Sequence, residues 1–198
     1  MLKRKKSGII LIVLCILLVG IGVILFRLRG SEKIVPDKNY PVAALTTYRQ
    51  DDPLWATDFL GDSSYTMKSS GCLVTCIAMA ISDVEEVMTP RELNRLFSEN
   101  GVYDADGNIQ WGPLEELEGY SVLVYNEAIE EAIADCLEAG HFPIVRVRVS
   151  GAGSYHYVLI VGNEDGDYIC MDPQEDELMP LSAYGSRIYA VRCVWKDE

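Results

Sequence analysis

Histidine is scarce in this sequence: His141 and His156 are its only two, and no Cys-x-x-Cys accompanies them. A closed transition-metal site is therefore not expected, because it needs three or four such side chains at ligand spacing. Basic residues are also few, 17 Lys+Arg against 30 Asp+Glu, and six of the 17 fall within residues 1–30, where there is no acid. That leaves 11 basic against 30 acidic groups in the remaining 168 residues. A surface of that sign repels phosphate backbones and excludes nucleic-acid binding through a basic footprint. No Gly-rich phosphate loop precedes a helix, which argues against nucleotide use, and no cofactor is expected. Internal repeats and low-complexity tracts are absent, and at 49% hydrophobic residues the chain is no disordered polymer.

What is present begins with an apolar run. Gly8 to Phe26 holds 19 residues without a charge, roughly 28 Å as a helix. Lys3, Arg4, Lys5 and Lys6 precede it, and only Arg27 and Arg29 follow closely. This bias predicts a cytoplasmic N-terminus over 1–7, a single-pass signal anchor over 8–26 and a domain outside the cell. No small-x-small site stands before Gly30, so cleavage is not expected. Residues 27–41, polar and with two prolines, read as a linker to one domain over 42–198.

Within that domain the periodicity changes from 3.6 to 2. Leu73, Val74, Ile77, Ala78 and Ile81 mark a helix over 70–82 that is apolar almost all round, hence central. Thr89-Pro90-Arg91-Glu92 is a capping box opening a helix with Leu93, Leu96 and Phe97 on its buried stripe. A third helix is predicted over 127–139, capped by Asn126 and ended by Gly140. Beyond it, strands are predicted from Ile144 to Val149, from Tyr157 around a turn at 163–166 to Met171, and from Arg187 to Trp195. Helices first and an antiparallel sheet second is an α+β arrangement.

Four positions suggest chemistry: Gln50, Cys72, His156 and Asp172. With Ser70 as the helix cap, Cys72 falls in the first turn, where unpaired N–H groups and the dipole stabilise a thiolate or an oxyanion. A hairpin around 163–166 sets His156 opposite 173, or opposite 172 with one more loop residue. Either register brings His156 and Asp172 close, and a carboxylate beside imidazole favours the imidazolium that a thiolate needs. Each residue also has a plain structural reading: a buried Cys as a small hydrophobe, Asp172-Pro173 as a turn, Gln50 as a local cap. His141 has no obvious partner and is read as structural. Asp104, Asp106 and Asn108 suggest a calcium loop, but no Glu follows at the required place, so a turn is expected. Cys170 and Cys193, on two late strands, are candidate neighbours, and at most one disulfide is expected.

The ordered set of Gln50 with Trp55 and Leu60-Gly61, Gly71-Cys72, Pro90 to Leu93, Trp111, Gly140 with Pro143, His156-Tyr157-Val158 to Gly162, and Asp172-Pro173 resembles the papain-like cysteine peptidases related to bacteriocin-processing, double-glycine leader peptidases. The likeness covers roughly residues 42 to 195. It implies a papain-like α+β fold, with Cys72 as nucleophile, His156 as general base and acid, Asp172 as its orienter and Gln50 as an oxyanion donor. The expected reaction is hydrolysis of a peptide or protein substrate. The chain lacks the transporter of the bacteriocin exporters and looks like a stand-alone, membrane-tethered relative of the kind common in Gram-positive bacteria. A non-catalytic peptide-binding module and a wall-peptide amidase or acyltransferase are the rival readings. The acidic loop from Pro173 to Pro180 is expected to bias the cleft against acidic peptides.

Overall fold

A computed structural model describes residues 2–82, 87–151 and 153–197, with backbone alone at 2–11 and 27. The chain divides into two compact units, Met1–Ser31 and Glu32–Glu198.

The first unit is one helix, α1 (Leu2–Leu28). Gly30 ends it with a φ of 73°, and the Ser31 hydroxyl donates to the Leu28 carbonyl at 2.7 Å. Among the described residues no helix is long and apolar enough to cross a membrane. The transmembrane helix expected over 8–26 is corrected accordingly. With it go the membrane as a partner, the signal anchor and the placement of the second unit outside the cell. The side chains of Lys3, Arg4, Lys5 and Lys6, on which the orientation rested, lie outside the described residues.

The second unit is α+β, helices packed on an antiparallel sheet. A short strand β1 (Glu32–Lys33) is followed by α2 (Met67–Ser70), α3 (Cys72–Ile81), α4 (Pro90–Glu99), α5 (Trp111–Glu115), β2 (Tyr120–Val124) and α6 (Glu130–Glu138). Strands β3 (Pro143–Arg148), β4 (Tyr155–Glu164), β5 (Asp167–Met171), β6 (Met179–Pro180), β7 (Arg187–Ile188) and β8 (Ala190–Lys196) complete it. The main sheet has the order β2-β8-β3-β4-β5-β6, and β1 pairs with β7. Because β1 pairs and Ile34 is buried, residues 32–41 belong to this unit and are not a free linker.

Two cores explain the strand patterns. On one side Val74, Ile77, Leu93 and Phe97 meet Ile144, Leu159, Val161 and Val194. On the other, Ile133 meets Val145, Val147, Val158, Ile160 and Val191. Neighbouring residues on β3 and β4 thus enter different cores, which is why β4 is apolar on both faces. The Thr89 box forms as read, with Glu92 Oε2 accepting from the Thr89 N–H at 2.9 Å and Thr89 Oγ1 accepting from the Glu92 N–H at 3.3 Å.

The β4–β5 hairpin is tighter than expected. Glu164 pairs with Asp167 around a two-residue turn, Asp165-Gly166, both with positive φ. A bulge between Ile160 and Gly162 then shifts the register by one. Val161 is the extra residue, and Gly162 beside it has a φ of 144°, where a Cβ would lie 2.7 Å from the Pro41 carbonyl oxygen and from the Val42 Cα. The incoming chain crosses at this point, with Ala43 N–H donating to the Val161 carbonyl at 2.8 Å. The helix predicted over 127–139 starts later, at Glu130, and Ile129 rather than Asn126 occupies its cap.

Candidate active site

Cys72 is delivered by a break between two helices. α2 has its own capping box, Thr66 with Ser69, and ends where Gly71 caps α3, so Cys72 is the first residue of α3. Ser70, the expected cap, instead closes α2. Gly71 is the residue the turn requires: an added Cβ would stand 2.5 Å from the Met67 carbonyl oxygen and 2.8 Å from its Cα. The Gly71 carbonyl accepts from both the amide and the hydroxyl of Thr75 at 2.9 Å. Cys72 is half-buried at the positive end of the helix, while Cys76, a turn further on, is fully buried.

Leu159 pairs with Met171, so continuing the register sets Val158 across from Asp172 and makes His156 its diagonal neighbour on the same face. The contact anticipated from sequence is present although its register is not the one expected. His156 Nε2 lies 2.7 Å from Asp172 Oδ1, and the two residues are 3% and 6% exposed. The same carboxylate oxygen accepts from the Gln174 N–H at 2.7 Å, and Oδ2 accepts from the Tyr184 hydroxyl. Burial works against the charge on His156, but hydrogen bonds and charge from Asp172 and Cys72 outweigh it and push the ring up to about 9. Burial likewise opposes the Asp172 charge, and His156, Tyr184 and the Gln174 amide still hold it below its ordinary value. With Nε2 engaged by Asp172, Nδ1 is the nitrogen left for the Cys72 sulfur.

Tyr184 escaped the sequence reading. It sits in a 3₁₀ turn, Leu181–Tyr184, and nothing in the spacing of that turn announces a partner for Asp172. Burial and the neighbouring carboxylate push its phenol well up, which keeps it a donor.

Gln50 joins the two halves of the site. Its amide N–H donates to the Pro173 carbonyl at 2.9 Å, beside Asp172, and its Nε2 donates to the Lys68 carbonyl at 2.8 Å, in the turn before Cys72. It is 3% exposed, and its Oε1 has no hydrogen-bond partner. One Nε2 hydrogen is committed to Lys68, leaving the second to donate. Arg49 ties this segment down through Asp51 and Asp176, and its carbonyl accepts from Trp55 Nε1 at 2.8 Å. On the other side, Cys76 Sγ donates to the Tyr157 carbonyl at 3.4 Å and so couples α3 to β4 next to His156. Desolvation pushes the Cys76 thiol well up, consistent with a structural role.

The remaining candidates lie elsewhere. His141 stacks on Trp195 with ring centroids 4.5 Å apart, and burial lowers its pKa. The disulfide joins Cys136 to Cys193, with Cα atoms 6.2 Å apart. Cys170 and Cys193 are not neighbours, because β3 and β4 lie between their strands. Asp104 closes its own turn, accepting from the Asp106 and Asn108 amides, and no metal-holding cluster of three such residues occurs among the described residues. A cleft of about 500 Å³ opens on Cys72, lined also by Leu60, Tyr65, Leu73, Trp111 and Tyr157. His156 and Asp172 are buried and do not line it.

Neither family models nor curated proteins give a match to the chain.

Proposed function

We propose that the chain is a thiol hydrolase acting on peptide bonds, of the papain-like type. The observation that carries this reading is the buried His156–Asp172 pair, 2.7 Å apart, with the remaining ring nitrogen available to Cys72. His156 takes the Cys72 proton, and the sulfur attacks the carbonyl carbon of a peptide lying in the cleft. The resulting oxyanion is held by N–H groups of the first turn of α3 and by the free Nε2 hydrogen of Gln50. The imidazolium gives its proton to the leaving amine as the C–N bond breaks. Water, deprotonated by the same ring, then releases the acid and restores the thiol. Asp172 fixes the ring's tautomer throughout and stabilises its charged form.

Incubation of the purified chain with a mixture of peptides, read by mass spectrometry, tests the reading. The expected result is new termini that disappear in both Cys72→Ala and His156→Ala. Cleavage that persists in both variants would overturn it, as would the absence of cleavage across a broad peptide mixture.

A further inference from the structure

Residues 31–198 carry 11 Lys+Arg against 30 acids, yet three arginines gather at one corner of the sheet. Arg146 and Arg148 lie on β3 and Arg192 on the adjacent β8, all half-buried. Lys38, Arg49 and Arg91 each pair with a carboxylate. No carboxylate of a described residue pairs with Arg146, Arg148 or Arg192, and each has a buried Nε without an acceptor. Aromatic faces hold them in place. The Arg192 Cζ lies 5.2 Å from the Trp111 ring centroid, and those of Arg146 and Arg148 lie 4.5 and 4.0 Å from that of Tyr155.

Arg148 is committed to the Gly153 carbonyl at 2.7 Å. Arg146 is not: its Nη2 reaches the Tyr189 carbonyl only at 3.5 Å. Arg192 uses Nη1 on the Val191 and Tyr125 carbonyls and keeps its other terminal nitrogen. Desolvation lowers the Arg192 pKa first, Tyr157 opposes it, and the charge of Arg146 lowers it further, so the two guanidinium groups repel one another. Half-buried like charges without a counter-ion are costly, and an anion placed between them removes that cost.

Their position gives that anion a source. Arg146 pairs across the strands with Tyr157, whose phenol responds to both Arg146 and Arg192 as well as to Cys72. Tyr157 and Trp111 line the cleft that opens on Cys72. Glu175, Asp176 and Glu177, the acids expected to repel acidic peptides, follow Asp172 and are absent from the lining of that cleft, which does include Asp106; Arg146 and Arg192 are not in the lining themselves and adjoin it through Tyr157 and Trp111.

We propose that Arg146 and Arg192 form a subsite for a carboxylate of the peptide substrate, either an Asp or Glu side chain or a free C-terminus. This rests on the reading of Cys72 as the nucleophile, and it reverses the selectivity that the acidic loop suggested. Arginine suits the role, since its planar fork binds carboxylate in a bidentate manner.

Binding is measured without turnover in the full chain carrying Cys72→Ser. The probes are hexapeptide pools with an uncharged dye, random except for one fixed Glu or Gln, each with a free or an amidated C-terminus. The carboxylate-bearing pools are expected to bind about tenfold tighter, with a preference that weakens as salt rises. Arg146→Gln and Arg192→Gln should each abolish most of it. A preference confined to the Glu pools assigns a side chain, and one confined to the free-acid pools assigns the terminus. Equal binding of all four pools, read with both arginines intact, overturns the subsite, as does a preference that survives both substitutions. A carboxylate preference in a chain that cleaves no peptide would leave the subsite standing and remove the hydrolase reading. Cleavage without any preference would do the reverse.

Discussion

Asp172→Asn keeps the shape of the side chain and removes its charge from three donors: His156 Nε2, the Gln174 amide and the Tyr184 hydroxyl. The His156 ring, pushed up to about 9 in the folded protein, titrates near 6.5 when unfolded. The charged ring therefore contributes stability that is fully present below about pH 6.5 and is lost as pH rises through about 9. A separation of roughly 2.5 pH units corresponds to about 3 kcal/mol. Both side chains are nearly fully buried, so solvent does not screen the pair. Asp172, held below its ordinary value, contributes in the opposite sense. Its share is present above about pH 4 and is lost as pH falls through its folded value. Stability should thus be highest between about pH 4 and 6.5 and decline toward 9. With asparagine in place, burial of the ring loses its main opponent, the ring pKa drops, and the slope between pH 6.5 and 9 collapses. Urea unfolding across that range measures both proteins. The buried thiols Cys76 and Cys170, both pushed up first by desolvation and to a lesser degree by the Asp172 charge, add a loss at alkaline pH to each that differs little between them, so the difference between the two curves reports chiefly on the pair. Parallel curves for wild type and Asp172→Asn would refute the coupling.

Three further outcomes are expected. Reducing the Cys136–Cys193 bridge, which closes 57 residues, should lower stability by about 4 kcal/mol by loop entropy; calorimetry with and without reductant checks this. Gly71→Ala puts a methyl against the Met67 backbone, so the turn must move. A loss of about 1–3 kcal/mol should accompany slower alkylation of Cys72, both read on the same sample. Gln50→Ala should cut kcat by about 10²-fold, with KM much less affected, in the peptide assay that first shows turnover.

What could be read from the chain depended on how local its cause was. α3 and α4 were legible because a helical stripe and the Thr89–Glu92 box lie within a few residues of one another. The proximity of His156 and Asp172 was legible because a hairpin brings both strand ends together in either register. The actual register was not. The bulge at Val161 answers to Pro41 and Val42 crossing over Gly162, a contact some 120 residues apart in sequence, and strand periodicity carries no trace of it. Tyr184 and the Cys136–Cys193 bridge are likewise products of tertiary packing, one from a turn after β6, the other from α6 lying beside β8. The oxyanion role of Gln50 came from resemblance alone. Only the folded chain displays its two backbone contacts, one on each side of the site. The apolar N-terminal run misled in a different way: lack of charge is a local property, and among the described residues no helix is both long and apolar enough to cross a membrane.

The most direct test of the central claim is the rate of iodoacetamide alkylation at Cys72 as a function of pH, followed by peptide mapping. Cys15 serves as an internal exposed thiol, whereas Cys76 and Cys170 are buried. An imidazolium that persists to about pH 9 keeps a counter-charge beside the sulfur. Labelling of Cys72 should therefore outpace that of Cys15 at neutral pH, where an ordinary thiol is mostly protonated and slow to react. In His156→Ala the Cys72 profile should fall onto that of Cys15. A wild-type Cys72 that slows in step with Cys15, unchanged by loss of the ring, would contradict the account.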